Sequence, residues 1–417
     1  MNEIKLFFSQ PKNTRFLLLT SLLYAFVLPV VDIFVAAYIM RNSSDVGRVM
    51  TYQLTVYSGI PVTFLINGYL LNKINPGKLY AFGMLLSGVS MLIMTSLPEL
   101  NFVGIAIAGL VMGMSFGFFW ANRDYLVLIC TNDLNRNYYY GLETFFNTLT
   151  FVVVPVSVGW FIQSAQGISW LKNINSAYQV VIYIVIVITV FASILVTNGT
   201  YRKPAKARFV YFRYNMLWYK MLCVAASKGL VQGFIVTAPA MLIMKIVGDE
   251  GTLGIVQSVS SLLTALLMYM IGRFSKPEHR LRIYAVAVLL FVIGTLINSI
   301  YFNVVSVFIF LLLMIVARPM FDLAYFPLQM RVIDFLKDIE NRNEYSYIFS
   351  HECGLYIGRL LGCGTFIFIT YAISDNAVPT LLLPLAIFTL PLVTILQALF
   401  YFVVRHISKN IDEMENG

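Results

Sequence analysis

Charged side chains are scarce in this sequence: they make up 12% of its 417 residues, whereas hydrophobic residues make up 59%. An ordinary soluble domain contains roughly 25% charged residues, so about half of the usual surface charge is missing. Without that charge the chain lacks the polar surface that a soluble protein of this length needs. The composition therefore excludes a soluble globular domain and indicates a protein that crosses a membrane many times.

Cysteine is also rare. The chain has four, which lie within or at the ends of apolar runs without CxxC spacing, and they are Cys130, Cys223, Cys353 and Cys363. Neither a disulfide framework nor a metal site is indicated. The sequence has no P-loop to bind a nucleotide. We therefore expect that the protein uses no cofactor and that any transport it performs is driven by an ion gradient.

Two short matches to catalytic motifs lack the partners that their chemistry needs. Residues 113–117 read GMSFG, which fits G-x-S-x-G, but the hydrolase elbow requires a strand before it and a histidine partner after it. His351 and Glu352 resemble the start of H-E-x-x-H, but position 355 is Leu. We therefore expect that the chain is not an enzyme.

Long apolar runs are what the sequence has in abundance. A membrane span needs about 20 apolar residues. Twelve stretches meet this criterion, at residues 16–40, 50–71, 79–97, 102–128, 139–162, 178–196, 222–244, 253–271, 283–300, 304–325, 347–373 and 380–404. The sequence thus predicts an all-α membrane protein.

Basic residues indicate the orientation of these spans. The formal charge is +9, and residues 199–220, at the middle of the chain, contain six Lys or Arg and no acidic residue. Only Arg41, Arg48, Lys172 and Lys245 fall in the predicted outer loops. The positive-inside rule therefore places both termini and the basic segment in the cytoplasm, and no nucleic-acid partner is needed to explain the charge. The predicted domains are residues 1–198, a linker at 199–221, and residues 222–417.

The two halves repeat a pattern of polar residues. Span four ends with Arg123-Asp124 and span ten with Arg318 and Asp322. The tripeptide Asn-Arg-Asn follows in each half, at residues 135–137 and 341–343, and leads into a span whose first turns carry a Glu. Two six-span repeats are the simplest account.

With these features the chain resembles the major facilitator superfamily over its full length. Residues 68–78, GYLLNKINPGK, are a degenerate form of that family's G-x-x-x-D-R-x-G-R-K motif, and a second copy begins at Gly272 as GRFSKPEHR. Asn72 and Lys276 stand where the family has Asp, which departs from the charge relay attributed to that residue. The resemblance implies two pseudo-symmetric six-helix bundles, with spans one, four, seven and ten lining a central cavity.

Asp32 is the first candidate for proton coupling. It lies beyond the middle of span one, in LPVVDIF, with no charged residue within a helical turn. An isolated carboxyl in hydrocarbon favours its neutral form, so it can gain and lose a proton. Glu143 and Glu352 are the reserve candidates. The alternative is a carboxylate permanently paired with Lys228 or Arg359.

The candidate substrate site is rich in cations and amides. Arg binds carboxylate or phosphate as a bidentate fork. Arg318 and Arg359, which are predicted to lie near the midplane, therefore favour an anionic solute. The predicted substrate contacts are Arg318, Arg359, Lys228, Gln232, Gln257, Tyr57 and Tyr356. The alternative is intramembrane ion pairing, in which Asp322 neutralises Arg318.

A further group of charges lies at or near the cytoplasmic ends of the spans. We expect these residues to form an inner gate of ion pairs, made in one state and broken in the other; they are Arg123, Asp124, Arg136, Asp322 and Arg342. A solvated charged face is the alternative.

Together these observations predict a proton-coupled secondary transporter that takes up a small organic anion by alternating access. Efflux of amphipathic or drug-like compounds is the alternative, favoured by the aromatic content and by VVVPVSVG in span five, which partly resembles an antiporter motif. A non-transporting receptor or intramembrane enzyme is an alternative of another class. We expect a monomer in a bacterial inner membrane.

Overall fold

The computed structural model of this protein is built from helices. It describes residues 3–131, 133–167, 171, 173–202, 210–235, 238–246, 249–274, 279–342, 344–372 and 382–416, and these ranges contain no strand. A lipid-embedded backbone must satisfy its hydrogen bonds internally, which an isolated helix does. The helices are α1 Glu3–Ser9, α2 Lys12–Ala25, α3 Val35–Ser43, α4 Val46–Leu70, α5 Pro76–Ser96, α6 Phe102–Cys130, α7 Asp133–Gln163, α8 Ile174–Thr197, α9 Met216–Ile235, α10 Ala238–Ile246, α11 Glu250–Phe274, α12 Arg280–Tyr301, α13 Val304–Glu340, α14 Glu344–Ala372 and α15 Leu382–Asn416.

Within the described ranges, twelve stretches of helix are long and apolar enough to cross a membrane. The first of them, Lys12–Ser43, joins α2 and α3, and the seventh, Met216–Met244, joins α9 and α10. The predicted number of spans and the all-α membrane fold are confirmed. The predicted span ends at residues 373 and 380, and residues 203–209 of the basic linker, lie outside the described residues.

Short polar connections begin the helices at defined residues. The side chains of Asp45, Asn75, Asn101, Asn173 and Asn303 each accept a hydrogen bond from a backbone N–H in the first turn of the following helix. These N-caps satisfy backbone donors that the helix itself leaves unpaired. The spans can therefore follow one another with loops of only a few residues.

The chain forms two compact units, which we describe separately. The first unit contains residues 1–206 and 243–259, and the second contains residues 207–242 and 260–417. The predicted division at the basic linker stays a prediction. The structure adds one feature to it, because the first turns of α11 group with the first unit although they follow the linker in sequence.

Glycines allow close helix packing within each unit. In the first unit, a Cβ added at Gly113 of α6 would lie 2.1 Å from the carbonyl oxygen of Val56 in α4. In the second, a Cβ added at Gly358 of α14 would lie 1.9 Å from the carbonyl oxygen of Ala226 in α9. The glycines spaced four residues apart in spans four and eleven therefore form the close contacts typical of small-xxx-small ridges.

We expect Gly113→Val to destabilise the first unit by at least about 1–3 kcal/mol, the usual cost of overpacking, because the obstructing atoms are backbone. Thermal unfolding of the purified protein in detergent measures this. Gly364→Ala is the control, since an added Cβ there meets no atom within 4 Å. Equal melting temperatures for the two variants would contradict the packing that we describe.

Candidate functional site

An ion pair with a buried lysine connects two helices of the second unit. Lys228 on α9 donates a hydrogen bond to Asp322 on α13, with 2.7 Å between Nζ and Oδ1. The Lys228 side chain is 5% exposed and that of Asp322 is 34% exposed. A buried ammonium needs a counter-charge, since removing one partner of such a pair costs about 3–5 kcal/mol. Asp322 supplies it from the more exposed side of the pair.

Aromatic rings surround the Lys228 ammonium on other sides. Nζ lies 3.9 Å from the ring centroid of Phe326, 4.2 Å from that of Tyr325 and 5.5 Å from that of Phe321. Ring faces attract a cation, and this attraction is stronger where water is excluded. The Tyr325 hydroxyl is 2.6 Å from Nε2 of the buried His351 on α14. The rings and the carboxylate together hold the ammonium in one place.

Arg359 on α14 is held by two neighbours. Its Nε donates to Oε1 of Gln232, at 3.0 Å, and its Nη1 lies 3.5 Å from Oε2 of Glu352. Close packing of α9 on α14 makes the contact with Gln232 possible, because Gly229 lets the Leu355 backbone approach α9. These contacts fix the guanidinium, whose Nε lies on the Gln232 amide and whose Nη1 lies near the Glu352 carboxylate.

The remaining predicted contacts of the second unit are Arg318 and Tyr356. Arg318 lies on α13 and is exposed, and Tyr356 lies on α14 and is partly buried. The positive charges of Arg359 and Arg318 both act on Lys228. Asp322 hydrogen-bonds to Lys228, so the predicted Arg318–Asp322 pair is not the interaction that we observe for this carboxylate.

The first unit has its own buried ion pair. Arg123 on α6 contacts both carboxylate oxygens of Glu143 on α7, with 3.3 Å between Nε and Oε1, and it also lies 2.7 Å from Oδ1 of Asp124. Tyr139 donates to Glu143, at 3.5 Å, and its hydroxyl is 3.0 Å from that of Ser21. The side chain of Arg136, predicted as part of the same gate, lies outside the described residues.

Asp32 lies in a turn of π-helix, Val30–Phe34, between α2 and α3. Asp32 is exposed, whereas its neighbours Val31 and Ile33 are buried. A π-turn contains one residue more than an α-turn and is common at functional sites. Tyr57 is buried in α4, and Gln257, partly buried in α11, groups with the first unit. The structure therefore places these two predicted substrate contacts in a different unit from Lys228.

Arg342 contacts the segment before α9. It hydrogen-bonds to the Arg213 carbonyl oxygen, stacks on the rings of Tyr211 and Tyr214, and lies 3.5 Å from Glu340. Asp322 is 18 residues before Glu340 on α13, a distance of about 27 Å along the helix at 1.5 Å per residue. Asp322 and Arg342 therefore belong to different clusters, and their gating role stays a prediction.

A buried ion pair of the first unit was also missed by the sequence-based prediction. Arg41, at the end of α3, contacts both carboxylate oxygens of Glu250, at the start of α11, and Tyr178 donates to the same carboxylate at 3.1 Å. The Glu250 side chain is 1% exposed and that of Arg41 is 27% exposed. In sequence both residues look like ordinary loop charges, and 209 residues separate them.

Close backbone packing supports this pair. A Cβ added at Gly159 of α7 would lie 2.4 Å from the carbonyl oxygen of Glu250, and one at Gly254 would lie 2.3 Å from that of Pro155. The first turns of α11 are thus fastened to the first unit by an ion pair, a tyrosine and two glycines. The Pro and Gly of VVVPVSVG have a packing role in this contact.

His351 was also missed, because the polar stripe on span eleven was read as Glu352, Tyr356 and Arg359. Its signal in the sequence is weak, since a single His in an apolar helix is usually part of a core. Among the residues that the structure describes, no group of three or more His, Cys, Asp or Glu side chains could hold a metal ion.

The sequence model of the Major Facilitator Superfamily matches residues 16–350 of this chain. The chain belongs to this superfamily. It is accordingly an integral membrane transporter and not an enzyme.

Similar proteins agree with this family. The chain is 21% identical over 411 residues to the uncharacterized protein YqgE of Bacillus subtilis (strain 168). The matched region covers 97% of this chain and 92% of YqgE. The crystal structure of a bacterial homologue of the human lysosomal transporter Spinster, inward-facing and unoccupied, has a TM-score of 0.67 and 14% identity, and covers 97% of this chain and 99% of that one. The crystal structure of the nucleoside transporter NupG has a TM-score of 0.66 and 10% identity, and the match covers 95% of this chain and 99% of that one. At these identities the two structures show the fold alone.

We expect Arg41→Met to destabilise the first unit by about 3–5 kcal/mol, because it leaves the buried Glu250 carboxylate without its cation. The double variant Arg41→Met with Glu250→Met removes both charges and should be closer to the wild type. Thermal unfolding in detergent measures both. Arg48→Met, which breaks the more exposed pair with Asp45, is the control. If Arg41→Met and Arg48→Met cost the same, the burial of the first pair has no energetic effect.

Proposed function

We propose that this transporter takes up a small organic anion together with protons, by alternating access. The observation that carries this proposal is the cationic centre of the second unit, where Lys228 and Arg359 lie within membrane-spanning helices. Charged side chains at this depth are costly and mark solute or ion pathways. Two fixed cations at one site suit a solute with negative charge.

The geometry supports a planar anionic group as ligand. Gln232 and Glu352 hold the Arg359 guanidinium in place, so binding a carboxylate there loses little side-chain entropy. Lys228 adds a point charge, and Arg318 and Tyr356 are further proposed contacts in the same unit. Tyr57 and Gln257 remain proposed substrate contacts of the first unit.

Asp32 remains the proposed proton carrier. It is exposed although both of its sequence neighbours are buried, which is the placement expected of a carboxyl that exchanges protons with water. Glu143 and Glu352 are less favoured, because each already forms an ion pair with an arginine. Their ion pairs, with those of Asp124 and Arg342, are proposed to change between the states of the transport cycle.

The distribution of basic residues supports the rest of the proposal. We place both termini in the cytoplasm and the protein in a bacterial inner membrane, where it acts as a monomer. Efflux of amphipathic compounds is the second candidate. Its support is the three aromatic rings around Lys228, which offer an apolar surface to a solute.

Transport by proteoliposomes distinguishes these candidates. Radiolabelled organic anions are offered with an imposed pH gradient of either sign. We expect accumulation inside when the outside is more acidic. Flux of amphipathic compounds under the opposite gradient would favour efflux, and the absence of gradient-driven flux in both directions would contradict proton coupling.

We expect Asp32→Asn to abolish gradient-driven accumulation and to retain solute exchange, because exchange needs a binding site but no net proton movement. Both are measured in the same proteoliposomes. Glu99→Gln, which neutralises an exposed loop carboxylate, is the control and should behave as the wild type. Accumulation that survives in Asp32→Asn would assign proton coupling to another carboxyl.

A further inference from the structure

Asp322 occupies the position at which a solute anion would have to meet Lys228. The Lys228 side chain is 5% exposed and its ammonium lies next to aromatic rings, whereas the Asp322 side chain is 34% exposed. The accessible side of the pair is therefore the side of the carboxylate. An anion that approaches Lys228 encounters a carboxylate that is already part of the protein.

The charges of the site explain why a solute carboxylate and Asp322 compete for Lys228. Lys228 and Arg359 are paired with Asp322 and Glu352, so these two pairs together carry no net charge when all four groups are ionised, and Arg318, which also acts on Lys228, adds one positive charge. A solute carboxylate added at Lys228 would place two carboxylates against one ammonium. Like charges at such a short distance do not both remain ionised, and one of them takes up a proton.

We propose that Asp322 is a built-in competitor of a monocarboxylate substrate, and that it takes up one proton when the substrate carboxylate replaces it at Lys228. The solute carboxylate, one proton and the Lys228–Asp322 pair give the Lys228–solute pair and a neutral Asp322 carboxyl. Charge and atoms balance, with one proton bound for each anion. The protonated carboxyl can then donate a hydrogen bond to the bound solute.

This inference rests on the proposed function and deepens it, because it names the substrate class and, besides Asp32, a second carboxyl that takes up a proton. The sequence had suggested Asp322 as a gate residue or as the partner of Arg318. The rings of Phe321, Tyr325 and Phe326 add a preference for an apolar or aromatic body next to the single carboxylate.

Other charged and titratable groups surround the Lys228–Asp322 pair. Arg318 on α13 and Arg359 on α14 act on Lys228. Glu352 acts on Tyr325, whose hydroxyl contacts His351. Before the solute arrives, Asp322 is ion-paired with Lys228. In the proposed exchange the solute carboxylate replaces it there, so protonation of Asp322 follows binding and does not precede it.

The test uses benzoate, a monocarboxylate with an aromatic ring, and benzamide, its uncharged counterpart. Binding to the purified full-length protein and proton uptake from a weakly buffered solution are measured together. We expect about one proton taken up per benzoate bound, and a dissociation constant that falls about tenfold for each unit of decreasing pH between about pH 8 and 6. Benzoate itself stays ionised over this range, as its carboxyl titrates near pH ~4. Benzamide should cause no proton uptake.

Two variants separate the roles of the pair. Asp322→Asn should bind benzoate with no proton uptake and with less than a twofold change in affinity over the same range, whereas Lys228→Met should lose binding. Asp334→Asn, which breaks an exposed pair with Lys337 on the same helix, is the matched control and should equal the wild type. Proton uptake that persists in Asp322→Asn, benzoate binding to the wild type without proton uptake, or no benzoate binding at all would each overturn the proposal.

A measurement on the unmutated chain covers the case in which Asp322→Asn does not fold. Dicyclohexylcarbodiimide reacts with protonated carboxyl groups in apolar surroundings, and mass spectrometry of peptides locates the product. Benzoate should raise labelling of Asp322 several-fold; labelling that stays constant overturns the proposal.

Uptake of benzoate by proteoliposomes distinguishes a failure of this inference from a failure of the proposed function. If Asp322→Asn accumulates benzoate as the wild type does, this inference fails and the proposed function stands. If benzoate binds with a proton but no gradient drives its flux, the proposed function fails instead.

Discussion

An ammonium ion in a hydrocarbon environment must have a counter-charge at hydrogen-bond distance, and the second unit is organised around this requirement. Lys228 meets it with Asp322, across two helices. A neutral apolar pair of similar volume would be at least as stable, since buried ion pairs rarely repay their desolvation. Stability alone therefore gives no reason for the pair, which is why its chemistry is a better guide to function than its strength.

The two units use matched sequence positions in different ways. Arg123 and Glu143 of the first unit form a two-pronged contact, and a tyrosine completes the shell of the carboxylate. In the second unit the corresponding Glu352 lies beside Arg359, and Asp322 binds a lysine. The corresponding polar positions of the two units thus form different pairs, one tightly closed and one with an accessible carboxylate.

The sequence was sufficient for the parts of this structure that depend on local pattern. Apolar runs predicted twelve spans, and the glycines four residues apart in spans four and eleven lie where α6 packs on α4 and α14 packs on α9. The partners of individual charges depend on contacts distant in sequence and could not be read in the same way. Nothing near Arg41 in the sequence indicates Glu250, and the carboxylate of Asp322 had an equally plausible partner in Arg318, one turn away on its own helix.

The π-turn at Val30–Phe34 has a consequence for the first span as a whole. It holds one residue more than a regular turn, so the faces of α2 and α3 are offset by about 100° from those of an uninterrupted helix. Both segments bury their apolar sides while Asp32 stays exposed between them. Such an extra residue can migrate along a helix without unwinding its ends, and each single-residue step would rotate Asp32 by the same angle. A carboxyl could in this way change its surroundings while the span that carries it keeps its length and its anchors.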